Sequence, residues 1–151
     1  MKDLILKEPD KILRQVSTKV TDFKQAKKIA DKLIEVIKSV DGKSKFWLGM
    51  AAPQIGISKR IFVLKKSPGR YLVVINPEII DQKWNGPIFS RCFSVKGIFI
   101  RNCPYWTKIR YQDLEENFHT EVFIGGMSAT LHQEIEHLDG ILVSDMGLKI
   151  L

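Results

Sequence analysis

Apolar residues recur at helical spacing between positions 24 and 40, and this pattern constrains the fold more than any other in the chain. They stand three or four residues apart with lysines between them, so a helix here has one apolar face and one charged face. Asp41 and Gly42 follow as a helix stop. The pattern predicts an amphipathic helix whose apolar face packs on a core. The apolar positions are Ala26, Ile29, Ala30, Leu33, Ile34, Ile37 and Val40.

Runs of β-branched and aromatic residues follow this predicted helix. Residues 61–64 and 71–75 flank a turn and predict a hairpin, and Asn76 and Pro77 are expected to break its pairing. The other predicted strands cover residues 78–80, 98–100, 107–112 and 120–124.

A second helix is predicted near the end of the chain. It starts near Met127, after two glycines, and ends before Gly140. Strands followed by a late helix predict an α+β fold in which the helix packs on antiparallel sheet. No repeat or linker divides the sequence, so we expect one domain over residues 1–151.

Length and composition exclude several classes of protein. A chain of 151 residues with 44% hydrophobic and 27% charged residues matches one globular domain, not a disordered or fibrous protein. No apolar run approaches the ~20 residues that cross a bilayer, and the apolar stretch at residues 4–6 is too short for a signal-peptide core. Two cysteines are too few for a secreted disulfide scaffold. We expect a cytoplasmic protein, or one of an organelle matrix.

The net charge of +7 is unevenly distributed along the chain. Residues 1–75 hold 17 basic and 7 acidic side chains, whereas residues 76–151 hold 7 basic and 10 acidic ones. A basic half is compatible with RNA or an anionic surface as partner, and steep salt dependence would reveal such a partner. The lysines are spread out with few aromatic residues among them, which favours a solvated helix face over nucleic-acid binding.

The predicted second helix carries a partial metal-binding pattern. In H-E-x-x-H, two histidines four residues apart hold a metal, and the glutamate beside the first handles protons. Counting back from His137, the first-ligand position is Gln133 and the glutamate is Glu134. His132 lies about 140° from His137 around a helix, so both rings do not easily reach one ion. Alone, the pattern favours a polar helix with incidental histidines.

Three segments, taken in order, resemble the signature motifs of the peptide deformylase family. Residues 51–56 read A-A-P-Q-I-G, residues 92–95 read C-F-S-V and residues 134–140 read E-I-E-H-L-D-G. They are similar to the family motifs G-x-G-L-A-A-P-Q-I-G, E-G-C-L-S and Q-H-E-x-D-H-L-x-G. The resemblance covers nearly the whole chain. It implies antiparallel sheets around a metal-binding helix, and removal of the formyl group from the N-terminal methionine of new bacterial or organellar proteins.

The resemblance also implies roles for individual residues around a divalent metal. Cys92 and His137 would be metal ligands, with Gln133 at the third ligand position. Glu134 would act as general base and acid for an activated water. The family ion is often iron; a thiolate with nitrogen ligands suits iron or zinc, and nickel is a further candidate.

The same resemblance implies how a substrate would be bound. The Gln54 side-chain amide and the backbone N–H of Phe93 would donate to the developing oxyanion. The peptide is expected to lie as an extra strand on an open sheet edge. We expect a monomer that acts on formyl-methionyl N-termini near the ribosome, without a membrane or nucleic-acid partner. The residues expected to contact the peptide or its methionine side chain are Leu48, Gly49, Ala129 and Thr130.

The sequence departs from the family motifs at several positions. Gln133 stands where the family has its first histidine ligand, and His132 stands where it has glutamine. Because an amide oxygen is a weaker donor than imidazole, we expect a lower metal affinity. The chain also ends six residues after Asp145, so a C-terminal helix is expected to be very short or absent. The other departures are Ser90 and Arg91 for Glu-Gly, Trp47 for glycine, where it would narrow the cleft, and Glu136 for aspartate.

Two explanations of these departures stay open. In the first, the chain is a divergent deformylase that uses a Cys-Gln-His metal site with reduced or altered activity. In the second, it is a non-catalytic relative that binds peptide N-termini or another partner in the inherited cleft. Glu134 and Gln54 have little structural reason to be present without chemistry, and this slightly favours the enzyme. Cys103 is expected to be a core or loop cysteine, and His119 an exposed, incidental histidine.

Overall fold

The structure, a computed structural model, describes residues 1–41 and 48–151. Its helices are α1 (Phe23–Asp41), α2 (Gly126–Leu138) and the short α3 (Val143–Met146). Its strands are β1 (Leu48–Ala51), β2 (Ile61–Ser67), β3 (Arg70–Cys92), β4 (Val95–Gln112), β5 (Phe118–Ile124) and β6 (Leu148–Lys149). The expectation for Trp47 lies outside the described residues. Within them, no helix combines the length and the apolar character needed to span a bilayer.

The strands form one hydrogen-bonded antiparallel sheet. Its order is β1-β2-β3-β4-β5, and β6 pairs with β4. Helix α1 confirms the amphipathic helix predicted from the apolar spacing, and α2 confirms the helix predicted after the strands. The predicted α+β class, with helices against antiparallel sheet, is therefore correct.

Strand β2 is covered by helices on both of its faces. Ile61 and Val63 belong to the same buried cluster as Leu33 of α1. Phe62 and Leu64 belong to the cluster built around the apolar side of α2. Because successive side chains of a strand point to opposite faces, burial of both faces explains why residues 61–64 form an unbroken apolar run.

The pairing between β2 and β3 ends before Asn76 and Pro77, as predicted, but β3 itself continues beyond the dipeptide. After Ile75 the strand leaves β2 and continues along β4 as far as Cys92. Asn76 has φ of 51°, a left-handed conformation that asparagine tolerates, and its side chain holds both backbone polar groups of Val20 at 2.9 and 3.0 Å. Pro77 falls in a register irregularity, where its missing N–H breaks no ladder bond. The dipeptide therefore redirects the strand.

Strand β4 joins two runs that the sequence suggested were separate. Residues 98–100 and 107–112 are both part of it. Pro104 lies between them and pairs with Asn85 of β3, whereas β5 and β6 pair with other parts of β4. Proline is tolerated where only one side of the strand is paired, so it does not end β4.

Candidate active site

A cleft opens where three parts of the fold meet: strand β1 with the turn that follows it, the end of β3 with the turn into β4, and helix α2. Each part contributes one of the three motifs noted in the sequence. The cleft therefore brings together residues far apart in the chain. Its lining residues are Leu48, Gly49, Gln54, Arg91, Cys92, Phe93, Thr130, Gln133 and Glu134.

Cys92, which lines this cleft, lies beside the buried His137. The sulfur of Cys92 is 3.3 Å from Nε2 of His137. Burial raises the pKa of the Cys92 thiol to about 11 and lowers the pKa of the His137 imidazole to about 4. Two such donors bound to one tetrahedral ion at about 2.3 and 2.1 Å would be about 3.6 Å apart. The observed spacing fits a shared metal ion, and binding one would ionise the thiol.

Gln133 occupies the third position of this constellation. Its Nε2 donates to the carbonyl of Arg91 at 2.9 Å. A hydrogen bond from the same side chain is one of the effects that lower the pKa of Cys92 against the larger effect of burial. The described residues contain no group of three or more histidine, cysteine, aspartate or glutamate side chains that could hold an ion. Beside Cys92 and His137, the side chain of Gln133 is the polar group that α2 places at the position counted as the first ligand in the sequence.

His132 belongs to the opposite side of α2. Its Nε2 lies 2.8 Å from Oγ1 of Thr107 on β4, and Thr107 also bonds to Ser128 at 2.8 Å. Ser128 in turn donates to the carbonyl of Pro104 at 2.7 Å. All these contacts are buried. His132, which stands where the family motif has glutamine, thus holds the helix against the sheet, away from Cys92.

Glu134 is a buried carboxyl group without a full set of partners. The residue is 2% exposed, and its Oε2 has no hydrogen-bond partner among the described residues. Burial, with a smaller contribution from the charge of Glu136, raises the pKa of Glu134 to about 8. A buried polar atom left unpaired at a cleft is a place where a water or substrate atom is expected to bind.

Gly49 gives Glu134 the space that it occupies. A Cβ atom at position 49 would lie 2.7 Å from Cγ of Glu134, closer than van der Waals contact allows. The family resemblance implies only that Gly49 contacts the substrate peptide. The structure adds a different requirement, since the missing side chain leaves room for the carboxyl group.

The Gln54 amide is held in one orientation between β1 and the β3–β4 turn. Its Oε1 accepts from the backbone N–H of Ala51 at 3.0 Å, and its Nε2 donates to Oγ of Ser94 at 3.2 Å. Nε2 also lies 3.8 Å from the sulfur of Cys92. With 1% exposure and both ends bonded, this side chain has one fixed orientation, in which the amide hydrogen not given to Ser94 points towards the Cys92 sulfur.

The remaining sequence-derived candidates fall into two groups. Leu48, Phe93 and Thr130 line the cleft, but Ala129 is not among the lining residues. Cys103 is buried on β4, and His119 is exposed and bonded to Asp113, as expected for residues outside the site.

One buried ion pair beside the site was not foreseen. Arg101 of β4 binds both carboxylate oxygens of Glu136 at 2.5 and 2.6 Å, and the two side chains are 4% and 12% exposed. The pair fastens the helix turn between Gln133 and His137 to the sheet. The sequence marked Glu136 only as a departure from the family motif, and no spacing rule connects it with a residue 35 positions away.

Comparisons with known proteins agree with this geometry. The polypeptide deformylase family model matches residues 2–148. A peptide deformylase of Thermotoga neapolitana is 34% identical over 139 residues, covering 90% of this chain and 81% of that protein. One of Thermus thermophilus is 32% identical over 150 residues, covering 88% of this chain and 76% of that protein.

Solved structures show the same relationship in three dimensions. The crystal structure of peptide deformylase from Thermotoga maritima has a TM-score of 0.86 at 30% identity, covering 94% of this chain and 95% of that one. The peptide deformylase from Synechococcus elongatus, in complex with actinonin, has a TM-score of 0.86 at 26% identity, covering 96% and 78%. The match in sequence extends over nearly the whole chain, and so does the match in fold. The chain belongs to the polypeptide deformylase family.

Proposed function

We propose that this protein hydrolyses the N-formyl amide of formyl-methionyl peptides, using a divalent ion held at the cleft. One observation carries the proposal. Glu134 is a buried carboxyl group with a free oxygen, and it lines the same cleft as Cys92 and Gln54. A proton-transfer group, a metal-ligand pair and an oriented amide donor are the parts that hydrolysis of an amide requires.

The ion would be held by three protein atoms: the sulfur of Cys92, Nε2 of His137 and the amide oxygen of Gln133. This set suits iron, zinc or nickel, because a thiolate and an imidazole are soft and borderline ligands. When bound, the ion would acidify a water and polarise the formyl carbonyl.

Glu134 would move the proton. The pKa of Glu134 falls when positive charge is bound beside it, which lets the carboxylate accept a proton from the attacking water. The same carboxyl then delivers a proton to the leaving amine, so that the free methionine amine can depart. Gly49 supports this by leaving the Glu134 side chain its space.

The oxyanion would be stabilised by donors of fixed position. Gln54 is held by Ala51 and Ser94, so its Nε2 loses no freedom when charge develops on the formyl oxygen. The backbone N–H of Phe93, in the turn after Cys92, would add a second donor. Removal of one such donor typically reduces the rate about 10²- to 10³-fold.

The test is formate release from a formyl-methionyl peptide after loading with iron, zinc, nickel or cobalt in turn. We expect slow turnover by the wild type and none above background by Glu134→Gln, a variant of matched size that keeps the fold. Metal content is measured on the same samples. If no metal binds, and formate release does not exceed the Glu134→Gln rate, the proposal is wrong.

A second candidate function is peptide binding without catalysis, favoured by the amide of Gln133 at a ligand position. In that case formyl-methionyl peptides would bind the wild type and Glu134→Gln equally, and neither protein would release formate. Fluorescence anisotropy with a labelled peptide, measured beside the formate assay, separates the two functions.

The assignment to the cytoplasm or an organelle matrix stays part of this proposal, because formylated chains are made there.

A further inference from the structure

Arg91 stands at the edge of the cleft, at a position where the β3–β4 ladder is irregular. The register shifts between Ser90 and Cys92, so Arg91 lies between two paired residues. The extra residues of this irregularity lie on β4, where residues 96–98 stand opposite Arg91, so Arg91 is left without a regular ladder partner. The carbonyl of Arg91 is fixed by the hydrogen bond from Gln133, and the residue itself is exposed and lines the cleft.

The guanidinium of Arg91 is available to a ligand. Arg14, Arg60 and Arg101 each bind a carboxylate of the protein. The part of the chain that the structure describes offers Arg91 no such ion pair and no acceptor for its guanidinium. An unpaired guanidinium at a cleft edge is a fork of donors that matches the geometry of a carboxylate.

Two exposed cations lie at the edge of the cleft. Within the described lining, Arg91 is the one cationic side chain, and the carboxyl of Glu134 lies buried at the floor. Lys7 adds a second exposed cation beside the cleft, since its Nζ donates to the carbonyl of Phe93. Where the family motif has Glu-Gly, Ser90 and Arg91 remove a negative charge and add a positive one. A peptide that leaves the cleft past this edge meets a positive field.

We propose that Arg91 determines specificity by binding a carboxylate of the substrate, and that the preferred substrates are formyl-methionyl peptides with Asp or Glu at one of the two positions after methionine. This inference rests on the proposed deformylase function. It concerns the peptide beyond its first residue, which the roles of Cys92, Glu134 and His137 leave undefined.

The experiment compares matched peptides with the metal-loaded full chain. Formyl-Met-Asp-Asp-amide and formyl-Met-Asn-Asn-amide differ in charge and hardly in shape. We expect the wild type to prefer the acidic peptide about fivefold in kcat/KM, mainly through KM, with a smaller preference at high salt. A third peptide, formyl-Met-Asn-Asn with a free C-terminal carboxylate, has its negative charge at the chain end and none on its side chains. Comparing it with the Asp-Asp amide shows whether Arg91 binds a side-chain carboxylate or the C-terminal one.

Variants show whether Arg91 causes the preference. Arg91→Gln should abolish it, and Arg91→Glu should reverse it in favour of formyl-Met-Lys-Lys-amide. Arg70→Gln is the matched control, because Arg70 is exposed at the start of β3 and does not line the cleft. The inference would be overturned if the wild type had equal kcat/KM for the Asp-Asp and Asn-Asn peptides. It would also be overturned if Arg91→Gln kept the wild-type ratio of these two kcat/KM values.

Binding separates failure of this inference from failure of the proposed function. The deformylated peptides Met-Asp-Asp and Met-Asn-Asn, labelled at their C-termini, are titrated with wild type, Arg91→Gln and Arg70→Gln, and anisotropy is measured. Tighter binding of the acidic peptide that is lost only in Arg91→Gln supports the inference even if no formate is released. Equal binding of both peptides contradicts it even in an active enzyme.

Discussion

Gln133 donates its side-chain amide to the carbonyl of Arg91 at 2.9 Å, so helix α2 is tied to the residue that immediately precedes Cys92. This contact gives Gln133 two roles. It fixes the position of Cys92 relative to the helix, and in the proposed metal site it holds the amide that would be the third ligand. The two roles can be separated by substitution.

Gln133→His should increase metal affinity at least about tenfold, because imidazole is a stronger donor than an amide oxygen. Metal content after dialysis against a weak chelator measures the effect. Gln133→Leu, of similar size but without a donor, should bind less metal than the wild type. Equal occupancy in all three proteins would show that position 133 is not a ligand.

Glu136→Gln should destabilise the protein by about 3–5 kcal/mol, since it leaves the buried guanidinium of Arg101 without its counter-charge. Urea unfolding of the metal-free protein gives the free energy directly. Replacing both partners together, Arg101→Met with Glu136→Leu, should restore much of the loss. A loss below about 1 kcal/mol in the single variant would mean that the pair is already well solvated.

Gly49→Ala should reduce formate release more than tenfold while metal content stays near the wild-type level. The added methyl would lie 2.7 Å from Cγ of Glu134, so the carboxyl must move out of its place. A displacement of about 1 Å in a catalytic group can reduce the rate about 100-fold. Parallel measurement of metal content and unfolding identifies the cause, because a general loss of structure would lower all three quantities together.

The free energy of unfolding of the metal-free protein should fall as the pH drops from about 6.5 to about 4. Burial, with a smaller contribution from the charge of Arg101, lowers the pKa of His132 to about 4 in the folded chain. An unfolded histidine has a pKa of about 6.5. In this window the unfolded state binds the proton and the folded state does not, which reduces stability by up to ~1.4 kcal/mol per pH unit.

His132→Gln isolates this contribution. It keeps an amide within reach of Thr107 but removes the titrating group, so its stability should depend less steeply on pH. Burial also lowers the pKa of His137, which adds to the loss of stability at low pH, whereas the raised pKa of Glu134 opposes that loss. These two contributions are the same in the wild type and in His132→Gln, so they cancel in the comparison. The free energy of unfolding of both proteins is measured by urea titration at pH 6.5 and at pH 5.0. If it falls by the same amount in the wild type and in His132→Gln, a neutral, buried His132 is contradicted.

Local patterns were enough to predict the two longer helices, α1 and α2. The resemblance of three short motifs to one family suggested a common site for Cys92, Gln54 and Glu134, and the structure places these residues around one cleft. Such patterns are readable because each depends on neighbours in the sequence or on a fixed chemical requirement.

Features that depend on distant partners were not predictable. The end of the β2–β3 pairing at Asn76 was predicted, but the continuation of β3 along β4 was not, because the contacts of Asn76 with Val20 cannot be read from neighbouring residues. The pairing of Arg101 with Glu136 likewise depends on where β4 meets α2. The sequence predicted two strands on either side of Pro104 where the structure has the single strand β4. Nothing in the sequence shows that one side of β4 lacks a partner at this proline.

Strand β1 couples the cleft to the interior through three consecutive residues. Gly49 lies against Glu134, Met50 is buried in the cluster with α1, and the N–H of Ala51 holds Gln54. A slip of one residue would direct the methionine side chain towards Glu134 and leave the α1 cluster unfilled. Packing of α1 on Met50 thus supports the register that the pairing with β2 gives to β1, and a chain with α1 detached would lose part of what holds Gly49 and Ala51 in place at the cleft.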